Sequence, residues 1–272
     1  MGRKILFDGK IIFRDNVKAG IDSPALNYGY GLFETILYEN RKIYFIKDHL
    51  KRLFNSCQVL DIPPPDLNLI NENFIYKLIE ENGLTKNIVK IKLMYSPIFN
   101  EKEWNTIVTV NIYARNSKNI YALVENKVRS NAFYKHKSMS YMQNYHTLIS
   151  SGEFDEVLLI NDHKNIIEGT CTNILCVKDK ILYFADGSND YLFGIMQQNI
   201  FKDHRLFGFK KIEALEYGFS RQFIESCDEI LLTNSLKIAS NVNSINFGSE
   251  KIEFKSCKIS GLIRDHYLKN NG

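Results

Sequence analysis

The apolar residues of this chain come in short runs, and that limits its fold more than any other feature. The longest, such as Val157-Leu158-Leu159-Ile160 and Ile230-Leu231-Leu232, are a handful of residues, far short of the roughly 18 to 20 that a membrane-crossing helix needs. No transmembrane helix is expected. The start, Met1-Gly2-Arg3-Lys4-Ile5-Leu6, enters a strand-like pattern without the apolar stretch of a signal peptide, and Leu6 stands where N-myristoylation needs Ser or Thr. The expected compartment is the cytoplasm.

With 44% hydrophobic and 24% charged residues in 272, the composition is that of a globular protein of one large or two modest domains, not of a collagen or a disordered chain. The formal charge of +4 is scattered rather than gathered in a stripe, which argues against nucleic acid as a partner. Five cysteines (57, 171, 176, 227 and 257) form an odd set without zinc-type spacing, and no two of the six histidines share a metal-ligand spacing. No metal site is expected, and the cysteines read as reduced, mostly buried small hydrophobes.

Strands and helices alternate in the first third. Two strands flank Asp8-Gly9, a pair suited to a type I′ turn, and a second hairpin spans 33–46, turning near Asn40. Apolar residues recur at helical spacing over 48–60, with Asp48 as cap, until Pro63-Pro64-Pro65 ends the pattern. A second helix is expected over 66–82 with Gly83 as its stop, then strands over 88–95 and 106–113. The polar, aperiodic stretch Ala114-Arg115-Asn116-Ser117-Lys118-Asn119 places a linker at 115–120, between an N-terminal domain (1–114) and a C-terminal domain (121–272). The second domain reads as a strand over 121–128, a helix over 139–149, strands over 155–161, 166–177 and 180–184, and helices over 194–206 and 255–268. An α+β architecture of two unequal lobes follows.

Signatures of dinucleotide, P-loop, zinc-protease and serine-hydrolase sites are missing from the sequence. Alone, Tyr134-Lys135-His136-Lys137-Ser138-Met139 reads as three cations on a solvated loop. A second segment changes its meaning: Ile167-Glu168-Gly169-Thr170-Cys171-Thr172-Asn173-Ile174 wedges a carboxylate between apolar strands. A carboxylate there is costly without a cationic or protonated partner. With a lysine, the pair suggests a cofactor that has a basic ring nitrogen and an aldehyde.

Six segments, in order, resemble the class IV (fold type IV) pyridoxal-phosphate enzymes, which include branched-chain and D-amino acid aminotransferases and 4-amino-4-deoxychorismate lyase. They are Tyr28-Gly29-Tyr30-Gly31-Leu32-Phe33-Glu34-Thr35, Asp48-His49-Leu50-Lys51-Arg52-Leu53, Lys137-Ser138-Met139-Ser140-Tyr141, Glu168-Gly169-Thr170-Cys171-Thr172-Asn173, Leu192-Phe193-Gly194-Ile195-Met196-Gln197-Gln198 and Thr233-Asn234-Ser235-Leu236. The resemblance implies an N-terminal α/β lobe, a larger C-terminal pseudo-barrel lobe carrying the cofactor lysine, a cleft between them and a homodimer. It implies pyridoxal 5′-phosphate as cofactor and Lys137 as the catalytic Schiff-base lysine, with Lys135 as its rival. Glu168 would face the pyridine nitrogen. Arg52, the amides of Ile195 and Met196, and Asn234 with Ser235 would hold the phosphate.

Three positions depart from the family pattern: Tyr30 replaces an Asp, Ser140 an Asn and Gln197 an Arg. No guanidinium follows the strand Val89-Lys90-Ile91-Lys92-Leu93-Met94-Tyr95, so Tyr30, Lys92 and Tyr95 are the candidates for an amino-acid-like substrate's carboxylate. The Thr-Asn-Ser-Leu turn looks most like the lyase branch, which converts aminodeoxychorismate to 4-aminobenzoate and pyruvate for folate synthesis. The alternative is an aminotransferase acting on branched-chain or D-amino acids with a 2-oxo acid acceptor. A third is a family member that has lost catalysis and serves as a binding protein.

Overall fold

A computed structural model describes residues 3–115, 120–128, 131–254 and 258–269, the side chains of 125–128 excepted. Most of the expected linker at 115–120, Cys257 and the start of the helix expected over 255–268 lie outside the described residues. The chain forms two compact units: one runs to Arg115 and also holds His136–Tyr141, and the other holds the remaining described residues, to Lys135 and from Met142 onward.

The first unit opens with the hairpin of β1 (Lys4–Phe7) and β2 (Lys10–Phe13). Asp8 and Gly9 both have positive φ, 43° and 79°, as a type I′ turn requires. Helix α1 (Pro24–Tyr28) begins at Ser23, whose hydroxyl accepts from the Leu26 amide. Strands β3 (Leu32–Glu39) and β4 (Lys42–Ile43) turn through Asn40 and Arg41, both at positive φ. Helix α2 (Ile46–Val59) starts two residues before Asp48, so Asp48 lies in its first turn rather than at its cap. A carboxylate there still complements the helix dipole.

The single helix expected over 66–82 is interrupted. Asp66 caps a 3₁₀ turn at Leu67–Ile70, and the Asn71 side chain then accepts from the Phe74 amide to start α3 (Glu72–Glu81). With β5 (Val89–Ser96) and β6 (Asn105–Ile112), the strands form an antiparallel sheet in the order β2-β1-β6-β5-β3-β4. One face buries Leu6, Ile36, Ile91 and Val108 against Leu53, Ile75 and Leu78 of α2 and α3. The period-2 alternation of β3 and β5 thereby assigns Phe33, Thr35, Lys92 and Met94 to the other face.

The second unit comprises β7 (Ile120–Val128), α4 (Met142–Ile149), β8 (Glu156–Ile160), β9 (Ile166–Gly169), β10 (Asn173–Lys178), β11 (Ile181–Ala185), α5 (Ile195–Lys202), β12 (Lys211–Leu215), α6 (Arg221–Glu225), β13 (Glu229–Asn234), β14 (Ile238–Asn246), β15 (Lys251–Glu253) and α7 (Ile259–Lys269). Its sheet runs β12-β11-β10-β13-β14-β7-β8-β9, and β9 pairs back onto β10. Strands β10, β13, β14, β7, β8 and β9 therefore close into a six-stranded barrel, the pseudo-barrel expected. All five residues of β8 are buried; the apolar run 157–160 accounts for four of them, and the fifth is Glu156. The expected strand over 166–177 is two strands, divided by Thr170-Cys171-Thr172.

Candidate active site

In the first unit, His136–Tyr141 joins the edge of β3. Phe33 donates its amide to the Lys137 carbonyl at 2.9 Å, and Met139 donates to the Gly31 carbonyl at 2.8 Å. These bonds correct the expectation that Lys137 belongs to the C-terminal domain: its flanking chain is in the second unit, but its own backbone packs with the first. Gly31 permits the approach. It sits at φ 155°, and a Cβ there would lie 2.5 Å from Ser96 Cβ and 2.9 Å from the Tyr95 carbonyl oxygen. The Lys137 ammonium lies over the Phe33 ring at 4.6 Å and the Tyr141 ring at 5.8 Å. Lys135, its rival, is placed on the second unit, donating to the Gly187 carbonyl and 3.8 Å from Asp190.

Beneath β3 is an ion network that the sequence motifs did not disclose. Glu34, fully buried, accepts from Arg52 Nε at 2.8 Å and Nη2 at 2.6 Å, and pairs with His49 Nδ1 at 2.6 Å. His49 and Arg52 stand three residues apart on α2, so both reach the same carboxylate. Burial raises the Glu34 carboxyl, but Arg52 and then His49 outweigh it and hold it at about 2. Burial pushes the His49 imidazole below its usual range against the pull of Glu34, and the charges of Arg52 and Lys137 lower it further. His49 Nε2 is buried without a hydrogen-bond partner among the described residues. The signal was present: Glu34 stands in period with apolar Leu32 and Ile36. Arg52, expected on a phosphate, thus has its fork on Glu34.

The opposite sheet face carries Lys92. Its ammonium lies 4.9 Å from the centre of the same Phe33 ring, and burial, then Lys90, lowers its pKa. Among the described residues it has no ion-pair partner. A cavity of about 480 Å³ opens here, lined by Lys92, Met94, Ile107 and Thr109 with Arg14 and Lys18. Tyr95 does not join it. Three residues from Lys92, it falls on the helix-covered face, where its hydroxyl donates to the Pro63 carbonyl and its ring meets Trp104. Tyr30 packs edge-on against the same tryptophan.

In the second unit the barrel register gathers the remaining candidates. Glu168 is buried and opposite Asn173, and Asn173 is opposite Thr233. The Asn173 carboxamide donates to the Leu192 carbonyl at 2.6 Å and fills the space a side chain at Gly194 would need. Gly194 is the N-cap of α5 and offers no side-chain cap to the amides that follow, those of Ile195 and Met196. Thr233 Oγ1 is buried and has no hydrogen-bond partner among the described residues. Asn234 is committed to the turn: its Oδ1 accepts from the Leu236 and Lys237 amides, and its Nδ2 donates to the Cys171 carbonyl. That leaves Ser235 at the turn's tip. Burial raises the Tyr191 phenol, and the charge of Glu168 adds to the shift.

Among the described residues no cluster could hold a metal, and no helix is long and apolar enough to cross a membrane. Cys57 and Cys176 are buried, but Cys171 is exposed at the turn that follows Glu168.

The sequence profile of amino-transferase class IV matches residues 31–245. A probable branched-chain-amino-acid aminotransferase of Rickettsia bellii is 25% identical over 266 residues, covering 90% of this chain and 88% of its own. A D-alanine aminotransferase of Staphylococcus epidermidis is 20% identical, with 85% of each chain covered. The crystal structure of a branched-chain aminotransferase from Thermoproteus uzoniensis with norvaline shares the fold, with a TM-score of 0.86 over 98% of this chain and 94% of the other at 18% identity.

Proposed function

This chain belongs to the class IV amino-transferases, a pyridoxal-phosphate family, and on that premise we propose that it moves the amino group of a small amino acid to a 2-oxo acid, with Lys137 as the lysine that carries the cofactor. The observation that carries the reading is the placement of Lys137, tied by two backbone bonds to β3 with its amine over Phe33 and Tyr141. The relatives favour amino transfer over the lyase expectation, since those described above are named branched-chain and D-alanine aminotransferases. The turn that pointed to the lyase spends its distinctive Asn234 on holding its own backbone.

The residues fit the cofactor. The buried, unpartnered Thr233 hydroxyl and the uncapped start of α5 are donors suited to a phosphate. Ser235 adds a second hydroxyl, and buried Glu168 suits a protonated ring nitrogen. Bound pyridoxal phosphate supplies the electron sink that lets the substrate Cα–H bond break. Lys137 takes and returns the Cα proton. It does so through the lone pair of its amine. Arg52 acts through Glu34 and His49, fixing the sheet edge to which the Lys137 segment is joined. Lys92, an ammonium without an ion-pair partner at a cavity, holds the substrate carboxylate by a charge-assisted bond. The assembly implied by the family resemblance is a homodimer, and the compartment is the cytoplasm.

Purified protein loaded with pyridoxal phosphate is expected to convert 2-oxoglutarate to glutamate with L-leucine or D-alanine as donor. Lys92→Met should raise KM for the donor about tenfold or more with little change in kcat. Release of pyruvate and 4-aminobenzoate from aminodeoxychorismate, with no transfer to 2-oxoglutarate, contradicts the proposal and restores the lyase.

A further inference from the structure

We propose that Glu156 is a positioning residue for Glu168, acting through the turn that joins β9 to β10. The proposal rests on the reading above that Glu168 faces the cofactor ring. Glu156 opens β8 and is 1% exposed. Its Oε1 accepts from the Val157 amide at 3.1 Å, the Thr170 amide at 3.0 Å and the Thr170 hydroxyl, and its Oε2 accepts from the Thr172 hydroxyl at 2.9 Å. Both threonines of the turn are thus held by one carboxylate.

The turn is held from other sides too. Gly169 donates to the Thr172 carbonyl, Thr170 to the Val157 carbonyl, and Asn144 Nδ2 donates to the Thr170 carbonyl at 2.6 Å. Gly169 has no room for a side chain because Thr172 and Glu156 occupy that space: a Cβ would meet Glu156 Cδ at 2.9 Å. The residues immediately outside this clamp are Glu168 and Asn173, opposite each other in the barrel. Their alignment depends on the four residues between them, Gly169 to Thr172, and a turn carrying two hydroxyls in a buried setting needs acceptors to stay there. Four donors converge on Glu156, so the carboxylate fixes the turn in one conformation rather than merely filling space.

Chemistry separates hydrogen bonding from charge. In Glu156→Gln the amide oxygen can keep the Val157 and Thr170 donors, and the new NH₂ can donate to the Thr172 oxygen. Glu156→Ala removes all of them. In full-length protein we expect Glu156→Ala to raise the Kd for pyridoxal phosphate about tenfold, the scale typical of losing a group that orients a ligand-holding side chain. We also expect it to displace the pH midpoint of the bound cofactor's visible band in the same direction as Glu168→Gln. Glu156→Gln should stay within about threefold of wild type in Kd with an unmoved midpoint. If Glu156→Ala does not fold, the milder double variant Thr170→Val/Thr172→Val decides, with shifts of the same sign. Folded Glu156→Ala, or that double variant in its place, with wild-type Kd and midpoint overturns the positioning role while leaving the cofactor reading intact. A wild-type protein that takes up no pyridoxal phosphate overturns both.

Discussion

Glu34 sits where the sequence alternation calls for an apolar side chain, and its neighbours turn that cost into pH dependence. Its carboxyl is held at about 2 in the folded protein against an ordinary 4.5. The folded state therefore binds the proton less readily than the unfolded chain, so the contribution is fully present above pH 4.5 and is lost as pH falls towards 2. Buried His49, also depressed, acts in the same direction: the unfolded imidazole takes a proton near 6.5 while the folded one resists. Acid destabilisation should thus begin below about pH 6.5 and steepen below 4.5. Glu34→Gln removes the buried carboxylate that Arg52 and His49 share and should lower the unfolding free energy at pH 7 by about 3 to 5 kcal/mol. Its stability should also vary less with pH between 4.5 and 2, as read by urea unfolding across pH. A variant curve parallel to wild type would refute this account. The motif containing Glu34 was legible; its partners were not, because they come from a helix packed beneath the strand. Tyr95 shows the complement: counting by twos along β5 from Lys92 places it on the covered face, where the fold indeed buries it.

Elements whose pattern is local were readable. The Asp8-Gly9 hairpin, the turn at Asn40, the helix ended by three prolines and the strand expected over 155–161 each follow from turn chemistry or periodicity. Elements defined by partners were not. Strand β14, Ile238–Asn246, mixes four apolar residues with Ser and Asn in no regular alternation and becomes a strand by pairing with β13, β7 and β15. The 136–141 stretch has no periodicity at all, and its place depends on bonds to Gly31 and Phe33 some hundred positions earlier. Gly31→Ala tests that junction. Its φ of 155° and the close approach of Ser96 and Tyr95 leave no room for a methyl, so the variant should lose about 2 kcal/mol or more of stability. Chemical denaturation giving wild-type stability would show that the junction tolerates a side chain and that the glycine is not what admits the Lys137 segment.

For the molecule as a whole, ordered motifs identified the family and the barrel, while the branch within the family rested on four residues of one turn. That turn was a poor guide because Asn234 serves the local backbone, a role compatible with either chemistry. The charge, set at +4 and scattered along the sequence, proves less diffuse in space, since Arg14, Lys18 and Lys92 meet at one cavity. The central claim, a cofactor enzyme built on Lys137, can be tested covalently. Protein loaded with pyridoxal phosphate should show a visible band that borohydride abolishes, and peptide mass mapping of the reduced protein should place the pyridoxyl group on Lys137 and lose it in Lys137→Ala. A label on Lys135 or another lysine, or no label on wild-type protein that is folded and loaded under the same conditions, would contradict the account.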